Sequence, residues 1–282
     1  MKEIDISKII PVVKKLCMDA NYYIDEDVIK KIKEFQKKEE SPTAQEILSI
    51  MLENYKLAAD EKMPICQDTG VAVVFVELGQ DVHLIGGDFY EAINEGVRQG
   101  YKDGYLRKSM VDDPVIKRKN TGDNTPALIY TDIVPGDKIK ITIAPKGGGA
   151  ENMSEVKMMK AADGIEGVKD FVVDRVKRSG GNPCPPVIVG IGIGGNFEQS
   201  ALLAKKALLV PLYEKNPSPV WAKVEDEILD RVNKLGIGPQ GLGGMTTALA
   251  VNILYKPCHI ASMPVAVNMQ CHVHRHKSAI IE

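Results

Sequence analysis

The sequence predicts a mixed α/β protein of the α+β kind, with a mainly helical region over residues 1–60 followed by a mixed sheet packed with helices. Three observations predict it. An amphipathic helical pattern fills the stretch before residue 60, short apolar runs alternate with helical patterns after it, and glycines gather where the apolar runs end.

The helical region runs from Asp5 to about Gln36 with a break near Asn21–Asp27, then resumes from Thr43 to Ala59. Thr43 and Glu46 have capping-box spacing, and Ile47, Leu48, Met51, Leu52 and Tyr55 share one helical face, so this part reads as scaffold. Strand-like runs follow at 71–77, 127–134, 138–144, 187–193 and 264–269, between helical patterns at about 88–103, 162–178, 197–210, 221–234 and 244–254. No repeat, low-complexity segment or convincing linker interrupts the chain. Asn216-Pro217-Ser218-Pro219 reads as a turn between subregions, and 1–282 is expected to be a single domain.

A chain of 282 residues, 44% of them hydrophobic, can bury a substantial core. Its 36 basic and 38 acidic residues nearly cancel and form no block that would select nucleic acid or an anionic membrane. No run approaches the roughly 18 apolar residues of a membrane span, and the opening MKEIDISKII lacks a signal-peptide pattern, so the cytoplasm is the expected location. Five cysteines argue against a disulfide framework and for reduced thiols, metal ligands or a nucleophile.

Apolar runs end in glycines and polar residues at ICQDTG (65–70), KGGGAEN (146–152), NPCPP (182–186), GIGIGGNFE (190–198), GIGPQGLGG (236–244) and NMQCHVHRH (268–276), loops expected to converge on one site. Such loops allow close backbone approach to a ligand, although turn-making accounts for some of them. Cys66, Cys184 and Cys271 sit at loop edges, whereas Cys17 lies in a helical pattern and reads as a small buried hydrophobe. With no C-x-x-C pair, zinc-ribbon and thioredoxin-type chemistry is disfavoured. Three thiolates from distant loops suit a [4Fe-4S] cluster that leaves one iron open as a Lewis acid.

ICQDTG at 65–70, YLRKSMVDDP at 105–114, RKNTGDNTPA at 118–127, APKGGGAEN at 144–152, GIGGNFEQSALLAKKAL at 192–208 and NMQCHVHRH at 268–276 resemble, in order, the motifs of the class I iron–sulfur fumarase and tartrate dehydratase family. The resemblance covers residues from about 60 to the C-terminus. It implies the alpha, cluster-binding subunit of a hydro-lyase, with Cys66, Cys184 and Cys271 as ligands of a [4Fe-4S] cluster and Cys258 outside that set. It further implies that Gln67, Asp68, Arg107 and the glycines Gly147, Gly148 and Gly149 contact a small dicarboxylate, and that His259 lies in the site. The implied reaction is reversible hydration of fumarate to L-malate, with dehydration of L-tartrate to oxaloacetate as the alternative.

The residues themselves suit these roles. Arg107 can clamp a carboxylate bidentately; without the resemblance it reads as a surface arginine beside Lys102 and Lys108. The glycine run can present backbone N–H groups as an anion nest, or be a plain turn. Asp68, adjacent to a ligand loop, can exchange a proton with the leaving hydroxyl, or cap the turn before Thr69-Gly70. His272, His274 and His276 alternate and would share one face of a strand, a zinc-like pattern; interrupted by Arg275, they are expected to leave His274 and His276 exposed.

Two competing readings remain open. GIGIGG at 190–195, with Glu214 about 20 residues on, satisfies a dinucleotide-binding fingerprint. A cluster-bearing scaffold or redox sensor without turnover is the other. The family's smaller second domain is expected on a separate beta subunit, because the chain stops at Glu282, six residues after His276, and no second basic residue is evident for the far carboxylate. The expected assembly is a hetero-oligomer with alpha-alpha contacts.

Overall fold

A computed structural model describes residues 2–282. In chain order the elements are β1 (Lys2–Asp5), α1 (Ile9–Tyr22), α2 (Glu26–Lys38), α3 (Pro42–Glu61), β2 (Val71–Gly79), β3 (Val82–Ile85), α4 (Phe89–Asp103), β4 (Leu128–Val134) and β5 (Ile139–Lys146). There follow α5 (Gly148–Glu151), β6 (Glu155–Met159), α6 (Gly164–Ser179), β7 (Val187–Gly195), α7 (Phe197–Ala207), α8 (Pro219–Asn233), β8 (Ala248–Cys258), β9 (Met263–Gln270) and β10 (Lys277–Ile281). The mixed α/β class is as the sequence predicts. The chain packs as two compact units: one takes in the chain up to Ile24, Asn54–Gly147 and Arg275–Glu282, the other Asp25–Glu53 and Gly148–His274.

The first unit is built on a sheet of order β10-β5-β2-β4, with β2 antiparallel to β5 and parallel to β4. Ile139, Ile141 and Ile143 of β5 pack with Val13 and Leu16 of α1 and Val97 and Tyr101 of α4 in one buried cluster. Cys17 is fully buried in that cluster, which pushes its thiol pKa far up and makes it inert. The register decides where function can lie. Val71 pairs with Lys146, Val73 with Leu128 and Lys277 with Ile143. The loops before β2, β4 and β10 and the turn after β5 therefore emerge at one end of the sheet.

The second unit has sheet order β6-β9-β7-β8, with β7 parallel to β8 and antiparallel to β9. Its core joins Val189 and Ile191 of β7, Val267 and Met269 of β9, Val172 of α6 and Ile228 of α8. A Cβ on Gly192 would lie 2.0 Å from the Ser200 carbonyl oxygen, and one on Gly190 2.2 Å from that of Ala204. The glycines of the GIGIGG motif thus let α7 lie directly on β7, a packing role that needs no nucleotide. Glu214 lies in the turn region after α7, and the next strand does not begin until Ala248.

Several elements differ from expectation. Residues 244–254, expected to be helical, belong largely to strand β8, whose first six residues are buried. A strand enclosed on both faces loses its alternation, so its apolar run looks the same as a buried helix. The cap of α3 is Ser41, whose Oγ accepts from the Ala44 N–H at 3.3 Å, so the Thr43–Glu46 spacing is not the helix start. Asn216–Ser218 does form a turn, ahead of Pro219 at the start of α8, but the divisions between the units fall elsewhere. Strands β1, β3, β6 and β10, each four or five residues long, were not expected.

Candidate active site

In the first unit, the ICQDTG loop is held from inside the fold by side-chain donors. The Tyr101 hydroxyl donates to the carbonyls of Thr69 (3.0 Å) and Gly70 (3.1 Å), and Asn124 Nδ2 donates to that of Gly70 (3.2 Å). Arg275 Nη2 donates to the Asp68 carbonyl at 2.5 Å. Tyr101 is fully buried, and burial raises its hydroxyl pKa well above the usual value, which keeps it a neutral donor. Carbonyls that face inward need such donors, because a buried acceptor left alone costs about 1–3 kcal/mol.

On this frame the side chains of the loop face a different way. Cys66 is half-buried, and its Sγ–H donates to Gln67 Oε1 at 3.1 Å. Gln67 is exposed, and the half-buried Asp68 accepts from the Gly70 N–H through Oδ1 at 2.9 Å. Arg107 is exposed, and its carbonyl accepts from Thr69 Oγ1 at 3.0 Å, which ties the Arg107 segment to the same loop. Gly147, at the turn after β5, completes this end: a Cβ there would lie 3.1 Å from Asp68 Oδ2 and 3.8 Å from Arg275 Nη2. Gln67, Asp68, Arg107 and Gly147 are thus brought together within the first unit, together with Cys66.

In the second unit the loops before β7 and after β9 meet. The His272 N–H donates to the Cys184 carbonyl at 3.2 Å, so the backbones of the Cys184 and Cys271 loops are joined. Cys184 is exposed and adopts a left-handed backbone with φ 54°, a conformation rare for a residue with a side chain; Cys271 is half-buried. The neighbouring 239–246 segment is fastened by Glu39, whose carboxylate accepts from the N–H groups of Met245 (3.0 Å) and Thr246 (2.9 Å) and from Thr246 Oγ1 (2.6 Å). Burial pushes the Glu39 pKa up, but these hydrogen bonds outweigh it and hold the acid below its usual value.

Gly148 and Gly149 begin the single turn α5 and take no left-handed conformation, so the expected nest is instead a short helical turn. Glu151 anchors that turn, bonding Lys205 Nζ at 2.5 Å and Asn268 Nδ2 at 2.9 Å. His259 lies elsewhere. It sits in the β8–β9 turn, exposed, with Nδ1 accepting from the Ala261 N–H at 3.1 Å, a bond that leaves the neutral ring's proton on Nε2. Because Gly195 pairs with Cys258 and Val187 with Ala248, this turn is at the other end of the sheet, roughly 25 Å along the strands from Cys184. Cys258, the last residue of β8, is exposed next to it.

Residues 271–276 are not a strand, so the alternation of His272, His274 and His276 defines no common face. His274 is 3% exposed rather than on the surface, and His276 is half-buried. Arg275 is also 3% exposed, and its Nε and Nη1 have no hydrogen-bond partner. The burial of this arginine is something the sequence did not reveal. An arginine between histidines reads as a solvated charge, and the only hint was the absence of any acidic residue in NMQCHVHRH. Among the described residues no three His, Cys, Asp or Glu side chains are grouped to hold a single metal ion, and no helix is long and apolar enough to cross a membrane.

The mixed α/β fold thus sets an aspartate and an arginine on loops at one end of a sheet, and the cysteines form no disulfide. The profile of the fumarate hydratase (Fumerase) family matches residues 10–280, and the chain belongs to that family of hydro-lyases. It is 42% identical over 269 residues, 94% of each chain, to a Methanocaldococcus jannaschii protein with the provisional name L(+)-tartrate dehydratase subunit alpha. It is 32% identical to the L(+)-tartrate dehydratase subunit alpha of Escherichia coli O157:H7, over 99% of this chain and 93% of that one. Identity to the subunit of that name from Escherichia coli strain UTI89 is 33%, over 97% and 91%.

Proposed function

We propose that this chain is the alpha subunit of a cytoplasmic [4Fe-4S]-dependent hydro-lyase acting on a four-carbon dicarboxylate, with residues 1–282 as its cluster-binding domain. The observation that carries the reading is the end of the first sheet, where Asp68 and Arg107 emerge on loops tied to each other through Thr69. Cys66, Cys184 and Cys271 would hold the cluster. The fit rests on their chemistry: all three are loop-edge thiols outside disulfides and not sealed in a core, unlike Cys17. When bound, the cluster supplies an open iron that polarises the substrate hydroxyl.

The chain's own residues then divide the work. Arg107, exposed and tied to the same loop through its carbonyl, takes one carboxylate through paired N–H donors. Gln67 and the backbone at Gly147, Gly148 and Gly149 line the same substrate. Asp68, with Oδ1 oriented by the Gly70 N–H, moves the proton at the substrate oxygen that leaves as water. His259 is assigned to the site by resemblance alone, and its position at the far end of its sheet gives it no contact with Cys184 in this chain. The remaining groups come from a smaller beta subunit, in keeping with relatives named as alpha subunits, in an assembly with alpha-alpha contacts.

The substrate is fumarate, giving L-malate. The names of the relatives favour a second reading, L(+)-tartrate giving oxaloacetate. The test is steady-state turnover of the anaerobically reconstituted chain on both acids, alone and with its beta subunit. Little or no turnover alone and restored turnover on one acid with the partner is expected. Full activity from this chain alone, or none on either acid with the partner, contradicts the proposal.

A further inference from the structure

Arg275 combines three features that scaffold arginines rarely share. Its side chain is almost completely buried, one donor grips the Asp68 carbonyl at 2.5 Å, and Nε and Nη1 are enclosed without any acceptor. A desolvated guanidinium with a single hydrogen bond is costly to keep, so its position has to be maintained by something other than stability. What it faces is the Asp68 residue. The vacant Cβ position of Gly147 lies 3.1 Å from Asp68 Oδ2 and 3.8 Å from Arg275 Nη2, so carboxylate and guanidinium flank one point where no side chain intrudes. Fully buried Tyr101 feels both charges and fastens the next two carbonyls of the loop.

We propose that Arg275 is the positioning residue for Asp68: it clamps the Asp68 peptide from behind the loop and places a buried positive charge beside its carboxylate, with Gly147 keeping the space between them clear. This rests on the reading of Asp68 as the proton-transferring group. The loop's local turn, a carboxylate accepting from the N–H two residues on, is the sort that an isolated Asx turn makes and breaks readily. Arg275, arriving from 207 residues away on the approach to β10, converts that turn into a fixed geometry. Proton transfer is sensitive to sub-ångström placement, so the effect belongs in turnover and not in substrate affinity.

The experiment has two arms. Amide hydrogen exchange on the full chain compares wild type with Arg275→Gln and Arg275→Lys, and reads residues 66–70 against the buried strand segment 139–143. Loss of the clamp should speed exchange at 66–70 about tenfold in Arg275→Gln and less in Arg275→Lys, with 139–143 unchanged. In the reconstituted enzyme with its beta subunit, Arg275→Gln should lower kcat by about 10- to 100-fold at unchanged iron content and nearly unchanged KM. Gly147→Ala, which keeps the arginine but crowds Asp68 Oδ2, should lower kcat in the same way. Unchanged exchange at 66–70, equal acceleration at 139–143, or a rise in KM with kcat intact would each overturn the proposal. If wild type turned over neither acid, the hydro-lyase reading would fall and the exchange arm alone would decide the role of Arg275.

Discussion

The two units fasten their loops by opposite means. In the first, the Asp68–Gly70 carbonyls point inward and are met by donors: the Tyr101 hydroxyl, Asn124 Nδ2 and Arg275 Nη2. In the second, the N–H groups of Met245 and Thr246 point inward and are met by an acceptor, the buried Glu39 carboxylate. The contrast has a chemical consequence. A loop whose peptides face the core with their carbonyls gathers positive and neutral donors behind it, and so sets a cation beside Asp68. A loop fastened by a carboxylate gathers negative charge instead, and Glu39 accordingly stands behind a segment to which no catalytic group is assigned.

The largest effect that would break this comparison comes from the cysteines, one of them on the first unit and two on the second. Serine at Cys66, Cys184 or Cys271 should each abolish a cluster of about four irons per chain, measured by iron and sulfide analysis after anaerobic reconstitution. Cys17→Ser and Cys258→Ser should retain it, the first because the thiol is sealed in the α1–α4 core and the second because it lies at the end of β8, away from Cys184. Retention in any of the first three would remove that residue from the ligand set.

Glu39→Gln comes next. The substituted amide offers one acceptor where the carboxylate offers two, and its NH2 faces backbone donors, so a loss of about 2 kcal/mol in urea unfolding is expected. The acid's folded pKa is depressed below the unfolded value of about 4.3. Its stabilisation is therefore fully present above that value and fades as pH falls through the folded pKa. The variant should accordingly lose the part of the acid dependence that wild type shows below about pH 4; an identical acid limb in both would reassign that carboxylate. The smallest effect is that of Tyr101→Phe, which removes a donor shared by two carbonyls at a cost of about 1–2 kcal/mol. Thermal unfolding would register it, and no change would show that water replaces the hydroxyl.

How far the sequence revealed these arrangements depends on how local the cause is. Helix α3 and strands β2, β5, β7 and β9 were legible because their apolar spacing or apolar runs are carried by the segment itself. Strand β8 was not, since enclosure on both faces erases the period that separates strand from helix. The four short strands carry too few residues to show a period at all. The grouping of Asp68, Arg107 and Gly147 was implied only by the family resemblance, and the register of β2 with β4 and β5 accounts for it physically. Arg275 was missed because its burial exists only once β10 pairs with β5 and brings it behind a loop 207 residues earlier. The Glu39 clamp, spanning a similar separation, was invisible for the same reason.

Asp68 carries the central claim, and one substitution tests it most directly. Reconstituted anaerobically with its beta subunit and assayed on fumarate and L-tartrate, Asp68→Asn should keep its iron and most of its substrate affinity while losing about 100-fold or more in kcat, the range for a lost proton-transfer group. A near-normal rate in the iron-replete variant would make Asp68 a turn residue and contradict the account.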